Sequence, residues 1–257
     1  MKKNQIILET IQSRYKQGRK SIAVLIDPDK VFDGSRLEQV IQIANENYVD
    51  FFFVGGSLIT NNALPKVIRL LKERSNIPVV LFPGSNMHID NQADGLLLLN
   101  LISGRNPDLL IGQHVTAAPI LKKSGLEIIP TGYMLIDGGI TTAVVYMSNT
   151  IPIPADKYTI ASSTAIAGEM LGKKLIYMDA GSGAKNSISP KMIASVRKSI
   201  DIPLIVGGGI NSSTKALNAF NAGADVVVIG NAIEKDPNLL IEVSNAIYDL
   251  NKTLDIH

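Results

Sequence analysis

The chain has 257 residues, 46% of them apolar, which supports one large core or two small ones. Its 25 basic and 23 acidic side chains leave a net charge of +2, so no basic footprint points to nucleic acid as a partner. The absence of cysteine excludes disulfides, thiolate metal sites and cysteine nucleophiles.

The opening segment, MKKNQIILETIQSRYKQGRK, reads as an amphipathic polar helix without an apolar core of signal-peptide length. No purely apolar run approaches the roughly 20 residues that span a bilayer, and a cytoplasmic protein is expected. Beyond it, short β-rich runs alternate with helical segments. Strands are predicted over Ile22–Ile26, Phe51–Val54, Val79–Phe82, Gly95–Leu99, Ile128–Ile136, Leu175–Met178, Leu204–Val206 and Val226–Ile229. Helices are predicted over Leu37–Asn47, Leu64–Arg74, Asp156–Gly172, Pro190–Ser199, Thr214–Ala222 and Asn238–Leu250. Eight strands is the barrel number, and several are apolar on both faces, as strands between a barrel interior and outer helices are. With no composition break, residues 1–257 read as one α/β domain, a TIM (β/α)8 barrel. The barrel is modified between strands 3 and 4, where PGSNMHIDNQAD favours turns and the outer helix is missing or irregular. A missing helix would leave a groove in the wall; the alternative is a short connection with no role.

Chemistry in this fold gathers at the carboxyl ends of the strands. Strand 1 ends in Asp27-Pro28-Asp29-Lys30. Asp27 is placed to hold Mg²⁺, which uses one or two protein carboxylates and fills its shell with water and substrate phosphate. The alternative for Asp-Pro-Asp is a turn. Strand 2 ends in Gly55-Gly56-Ser57, where the Ser57 hydroxyl either joins the metal shell or caps the next helix. Strand 6 carries the densest cluster: Tyr177, Met178, Asp179, Ala180, Gly181, Ser182 and Gly183. Alternation sends Tyr177 and Asp179 to one face and Met178 to the other. Strands 7 and 8 end in Gly207-Gly208-Gly209 and Gly230-Asn231, where phosphate sits in such barrels. Lys30 and Lys185 could each bind phosphate, against the default of a solvated lysine. His88, His114 and His257 are scattered and fit no metal-ligand spacing.

The motifs LIDPDK, FVGGS, LNLISGRNPDLLIGQHV, YMDAGSGA, VGGGI and GNAIE, in this order, closely resemble the geranylgeranylglyceryl phosphate synthase family. The match runs nearly end to end, and SGRNP is similar to the group with bacterial and archaeal members. The resemblance implies a Mg²⁺-dependent prenyltransferase joining sn-glycerol 1-phosphate to an all-trans polyprenyl diphosphate in ether-lipid synthesis. It implies metal held by Asp27 and Ser57, and glycerol phosphate contacted by Tyr177 through Gly183, Gly208, Gly209, Gly230 and Asn231. Tyr177 and Asp179 are the catalytic candidates, Asp179 to orient or deprotonate the acceptor hydroxyl and Tyr177 to place the glycerol. The family also lacks a regular third helix, which turns the wall groove into a prenyl site. A homo-oligomer and transient membrane contact are expected as well. Two departures stand out. Most relatives carry glutamate in YxEAGSG where this chain has Asp179, whose reach to glycerol then needs a water or a backbone shift. The lysine that the other group carries two positions before the metal aspartate is Leu25 here. The alternatives are a phosphosugar isomerase or lyase with the same cradle, or a barrel that only binds phosphate ligands.

Overall fold

A computed structural model of the chain describes residues 5–30 and 34–254; the first four residues of the amphipathic opening segment and His257 lie outside them. Eight strands, β1 (Ser21–Ile26), β2 (Phe51–Gly56), β3 (Val79–Pro83), β4 (Gly95–Leu101), β5 (Glu127–Leu135), β6 (Leu175–Asp179), β7 (Leu204–Gly207) and β8 (Val226–Ile229), close into a parallel barrel in sequence order. β8 pairs back onto β1, with Val24 opposite Ile229. The barrel predicted from eight apolar runs is the observed architecture.

Alternation along each strand divides the core into two layers. Phe51, Phe53, Val80, Phe82, Tyr133 and Tyr177 point inward, whereas Phe52, Val54, Leu81 and Met178 pack outward among the helices. Fully burying a large apolar side chain contributes about 1.5–3 kcal/mol, and a one-residue slip would exchange the layers of a whole strand. Register is therefore strongly specified.

Helices α1 (Ile6–Lys16), α2 (Gly34–Glu46) and α3 (Leu64–Arg74) precede β1, β2 and β3. No helix follows β3: residues 84–94 form turns and bends only. That gap was expected from its proline, glycine, asparagines and aspartates. After β4 a π-helical turn (Asp108–Gly112) leads into α4 (Gln113–Lys123). Sequence reading missed α4, which contains Pro119 and starts without a side-chain cap, so neither punctuation signal marks it. The remaining helices are α5 (Ala143–Ser148), α6 (Tyr158–Met170), α7 (Pro190–Arg197), α8 (Ser213–Asn221), α9 (Asn231–Lys235) and α10 (Asn238–Leu254). The short α5 and α9 were also missed. Caps fix the starts that matter for the site: the side chains of Ser189 and Ser212 accept the N–H groups of Met192 and Lys215, both at 3.3 Å.

The amino end of the barrel is closed by α1, whose Ile7, Leu8 and Ile11 join the inner layer. Glu127, at the start of β5, accepts the Ile7 and Leu8 N–H groups at 2.9 and 2.8 Å. The opposite end is open.

Candidate active site

A cavity of about 850 Å³ occupies the carboxyl ends of the strands. It is lined by Tyr177, Asp179, Ser182 and Gly183 from β6 and its loop, Gly208 and Gly209 after β7, and Gly230 and Asn231 after β8. Asp27 and Lys30 after β1 and Ser57 after β2 line it from the facing arc. Of the residues singled out in the sequence, Met178, Ala180 and Gly181 do not line it, and Met178 packs in the outer layer as alternation predicts. Lys185 is exposed and away from the cavity.

The glycine-ended loops interlock. Gly208 has φ +81°, and a Cβ there would sit 2.7 Å from the Ala180 and Gly181 nitrogens and from Asp179 Oδ1. Only glycine lets the β7 loop pass so close to the β6 loop in that conformation. A Cβ at Gly207 would meet the Tyr177 hydroxyl at 2.7 Å, so this position leaves room for the phenol. Among the described residues, the N–H groups of Gly183, Gly208 and Gly209 find no acceptor within the protein. Three unpaired donors on two adjacent loops form an anion cradle. Asn231 ties it together, its Oδ1 accepting from Ser182 Oγ at 2.9 Å and from Lys30 Nζ at 2.7 Å.

Lys30 bridges this cradle to the acidic arc. Its ammonium lies 3.2 Å from Asp27 Oδ2 and 3.6 Å from Glu234 Oε2. Burial raises the Glu234 carboxyl above its ordinary range despite the lysine beside it. Asp29 instead fixes the loop after β2, its Oδ2 accepting the Thr60 N–H and hydroxyl, both at 2.7 Å. Ser57 does not cap α3, whose N-cap is Ala63. The Asp27 carboxylate stands over the end of β2, where a Cβ on Gly56 would approach its Oδ1 to 3.5 Å. One carboxylate and one hydroxyl beside an open cavity suit Mg²⁺, which keeps coordination sites for water and phosphate.

At the centre of the site Asp179 is 7% exposed. Its Oδ2 accepts the Tyr133 hydroxyl at 2.6 Å and its Oδ1 the Gly181 N–H at 2.7 Å. Burial raises the Asp179 carboxyl above its ordinary value, more than these hydrogen bonds lower it. Burial and the adjacent Asp179 charge push the Tyr133 phenol well above its own. Tyr133, on β5 and opposite Tyr177 in register, was not singled out from the sequence. The signal available was parity: Tyr133 and Leu135 alternate as Tyr177 and Asp179 do.

The cavity continues into an apolar arm. The connection after β3, from Phe82 to Ile89, forms one side, and Leu96, Leu98, Ala117 and Leu121 form the other. Leu96 and Leu98 belong to the outer layer, so this arm runs down the outside of β4 where a third outer helix would lie. His114 lines the arm as well, with Nε2 2.8 Å from Leu99 O and Nδ1 buried without a partner among the described residues.

A barrel with a cradle of free N–H groups, a facing carboxylate and an apolar arm in one cavity defines the class: a (β/α)8 barrel with a phosphate-type site at the carboxyl ends of its strands. The chain matches the PcrB family over residues 15–248, and it belongs to that family. It is 53% identical over 246 residues to the geranylgeranylglyceryl phosphate synthase of Spirosoma linguale, covering 95% of this chain and 98% of that one. It is 42% identical over 213 residues to the synthase of the same name from Thermococcus gammatolerans, covering 82% and 83%. Its fold superposes on the crystal structure of the (S)-3-O-geranylgeranylglyceryl phosphate synthase of Thermoplasma acidophilum in complex with sn-glycerol-1-phosphate. The TM-score is 0.88, at 29% identity over 96% of this chain and 98% of that one.

Proposed function

We propose that the cavity joins the 3-hydroxyl of sn-glycerol 1-phosphate to an all-trans polyprenyl diphosphate, foremost geranylgeranyl diphosphate. The products are 3-O-(geranylgeranyl)glyceryl 1-phosphate and diphosphate, the first ether bond of ether-lipid synthesis. The observation that carries this is the continuity of the phosphate cradle with an apolar arm in one cavity of about 850 Å³. A phosphosugar isomerase or lyase has a use for the cradle and none for the arm.

Gly183, Gly208, Gly209, Gly230 and Asn231 bind the acceptor phosphate, which is held and does not react. Tyr177 places the glycerol so that its free hydroxyl faces the allylic carbon, and this orientation recovers much of the entropy of a two-substrate reaction. Asp179 draws off the hydroxyl proton as the new C–O bond forms. Lys30 meets the departing diphosphate from the Asp27 side. Asp27 and Ser57 would hold Mg²⁺, whose chemistry there is neutralisation of the charge that builds on the leaving group. The protein acts in the cytoplasm, meeting its lipid substrate and releasing its lipid product at the membrane surface. Among the described residues no helix is long and apolar enough to cross one. The exposed Tyr146, Met147 and Ile151, in and just after α5, support self-association.

The test is a product assay with sn-glycerol 1-phosphate and prenyl diphosphates of several lengths, with and without Mg²⁺. Ether product and diphosphate are expected in equal amounts, and only with the metal. Turnover of a phosphosugar without any prenyl transfer would replace this reading with the isomerase one.

A further inference from the structure

On the proposed reaction, Asp179 receives the proton of the acceptor hydroxyl, yet both of its oxygens already accept hydrogen bonds from within the protein. Gly181 N–H holds Oδ1 at 2.7 Å and the Tyr133 hydroxyl holds Oδ2 at 2.6 Å. Tyr133 lines the same cavity and is itself 5% exposed. Its ring is fixed by two neighbours: edge-on contacts with Tyr177 and Phe82 at centroid distances of 5.5 and 5.8 Å. A phenol has one proton to give, and that of Tyr133 is committed to Asp179. Its oxygen keeps acceptor capacity, and among the described residues no protein donor uses it. The group presented to an incoming alcohol is therefore a hydroxyl oxygen with a carboxylate behind it.

We propose that Tyr133 is a catalytic proton relay between the acceptor alcohol and Asp179. The glycerol 3-hydroxyl donates its hydrogen bond to Tyr133 Oη. As the alcohol oxygen bonds to the allylic carbon, that carbon's bond to the diphosphate oxygen breaks and its electron pair leaves with diphosphate. The alcohol proton passes to Tyr133 Oη while the Tyr133 proton passes to Asp179 Oδ2, so Tyr133 ends as it began and Asp179 ends protonated. The relay supplies the reach that a side chain as short as aspartate lacks. Burial keeps free phenolate out of the path, because Tyr133 loses its proton only as it gains another. This inference rests on Asp179 as the terminal base and names how the proton reaches it.

The experiment compares the wild type with Tyr133→Phe and with the double variant Tyr133→Phe, Asp179→Glu. Phenylalanine keeps the ring and removes the relay oxygen. The single-turnover rate is expected to fall about 100-fold, with the affinity for sn-glycerol 1-phosphate, measured by calorimetry without prenyl donor, unchanged within about threefold. Glutamate extends the carboxylate by one carbon–carbon bond, about 1.5 Å, toward the vacated oxygen. The double variant should therefore recover to within about tenfold of the wild-type rate. A proton inventory on wild-type single turnovers should curve, because two protons move together, whether or not either variant folds. A Tyr133→Phe rate within threefold of wild type, a double variant as slow as the single one, or a linear inventory overturns the relay. A wild type that makes no ether product overturns instead the reaction assigned above, and the two failures are told apart by that control.

Discussion

Asp179 sits where ionisation is costly, and that cost is also what makes it a stronger base. The groups facing it are the phenols of Tyr133 and Tyr177, both buried, with no cation in hydrogen-bond contact among the described residues. Its folded-state pKa lies above the ordinary 3.8, so on acidification the carboxylate is protonated sooner than an exposed one. A base must be ionised to act. The acid limb of kcat is expected above that of an exposed aspartate, and Asp179→Asn should retain phosphate binding while losing about 100-fold or more in turnover. A limb at or below 3.8, or unchanged turnover in Asp179→Asn, removes Asp179 from this role. Tyr177 and Asp179 were legible in sequence because alternation within a single strand decides which way they face. Tyr133 was not, since its partner lies 46 residues away and the match depends on the register between β5 and β6. Lys30 was legible as a candidate for phosphate but not as a bridge; its bond to Asn231 joins residues 201 positions apart.

The strands were readable because each is an apolar run stopped by a turn residue, and the barrel needs only their number and direction. Helices were readable where polar and apolar residues alternate around a face, as in α3, whose bounds match the expected Leu64–Arg74. They were illegible where proline or brevity breaks the pattern, as in α4, α5 and α9. The absent helix after β3 was readable from its turn residues, although the arm it leaves on the outside of β4 depends on how that strand and α4 pack in space. Glu127 is a further element-scale feature that no local pattern announces. It faces the amino end of the barrel from β5 and satisfies two N–H groups in the first turn of α1, 119 and 120 residues away. Glu127→Ala would leave both donors unpaired in a buried end, at about 1–3 kcal/mol each if no water replaces the carboxylate. Denaturant unfolding should show a loss of about 2–6 kcal/mol, with prenyl transfer at low temperature retained because the site lies at the other end. A loss below about 0.5 kcal/mol would mean that α1 is held by its apolar contacts alone.

At the scale of the whole molecule, a near-neutral chain sets one ion-paired lysine where the two halves of the site meet. Lys30 links Asp27 and Glu234 on one arc to Asn231 on the other, so the mouth is held by the protein's own polar contacts. A phosphate entering the cradle adds contacts to free N–H groups on loops that the barrel already fixes, so binding needs little reordering. Its free energy should then appear almost wholly as stability of the folded state, since the unfolded chain has no cradle. At a hundredfold excess over Kd the gain is about 2.7 kcal/mol. For a domain of this size each kcal/mol moves the melting temperature by about 2–4 °C, which gives a rise of about 5–11 °C with sn-glycerol 1-phosphate alone. Asp179→Asn should show the same rise at the same ratio to its own Kd, because the cradle and not the base holds the phosphate. No shift with glycerol phosphate, beside a clear one with prenyl diphosphate, would assign the glycine-ended loops to the donor and reverse the two halves of the site.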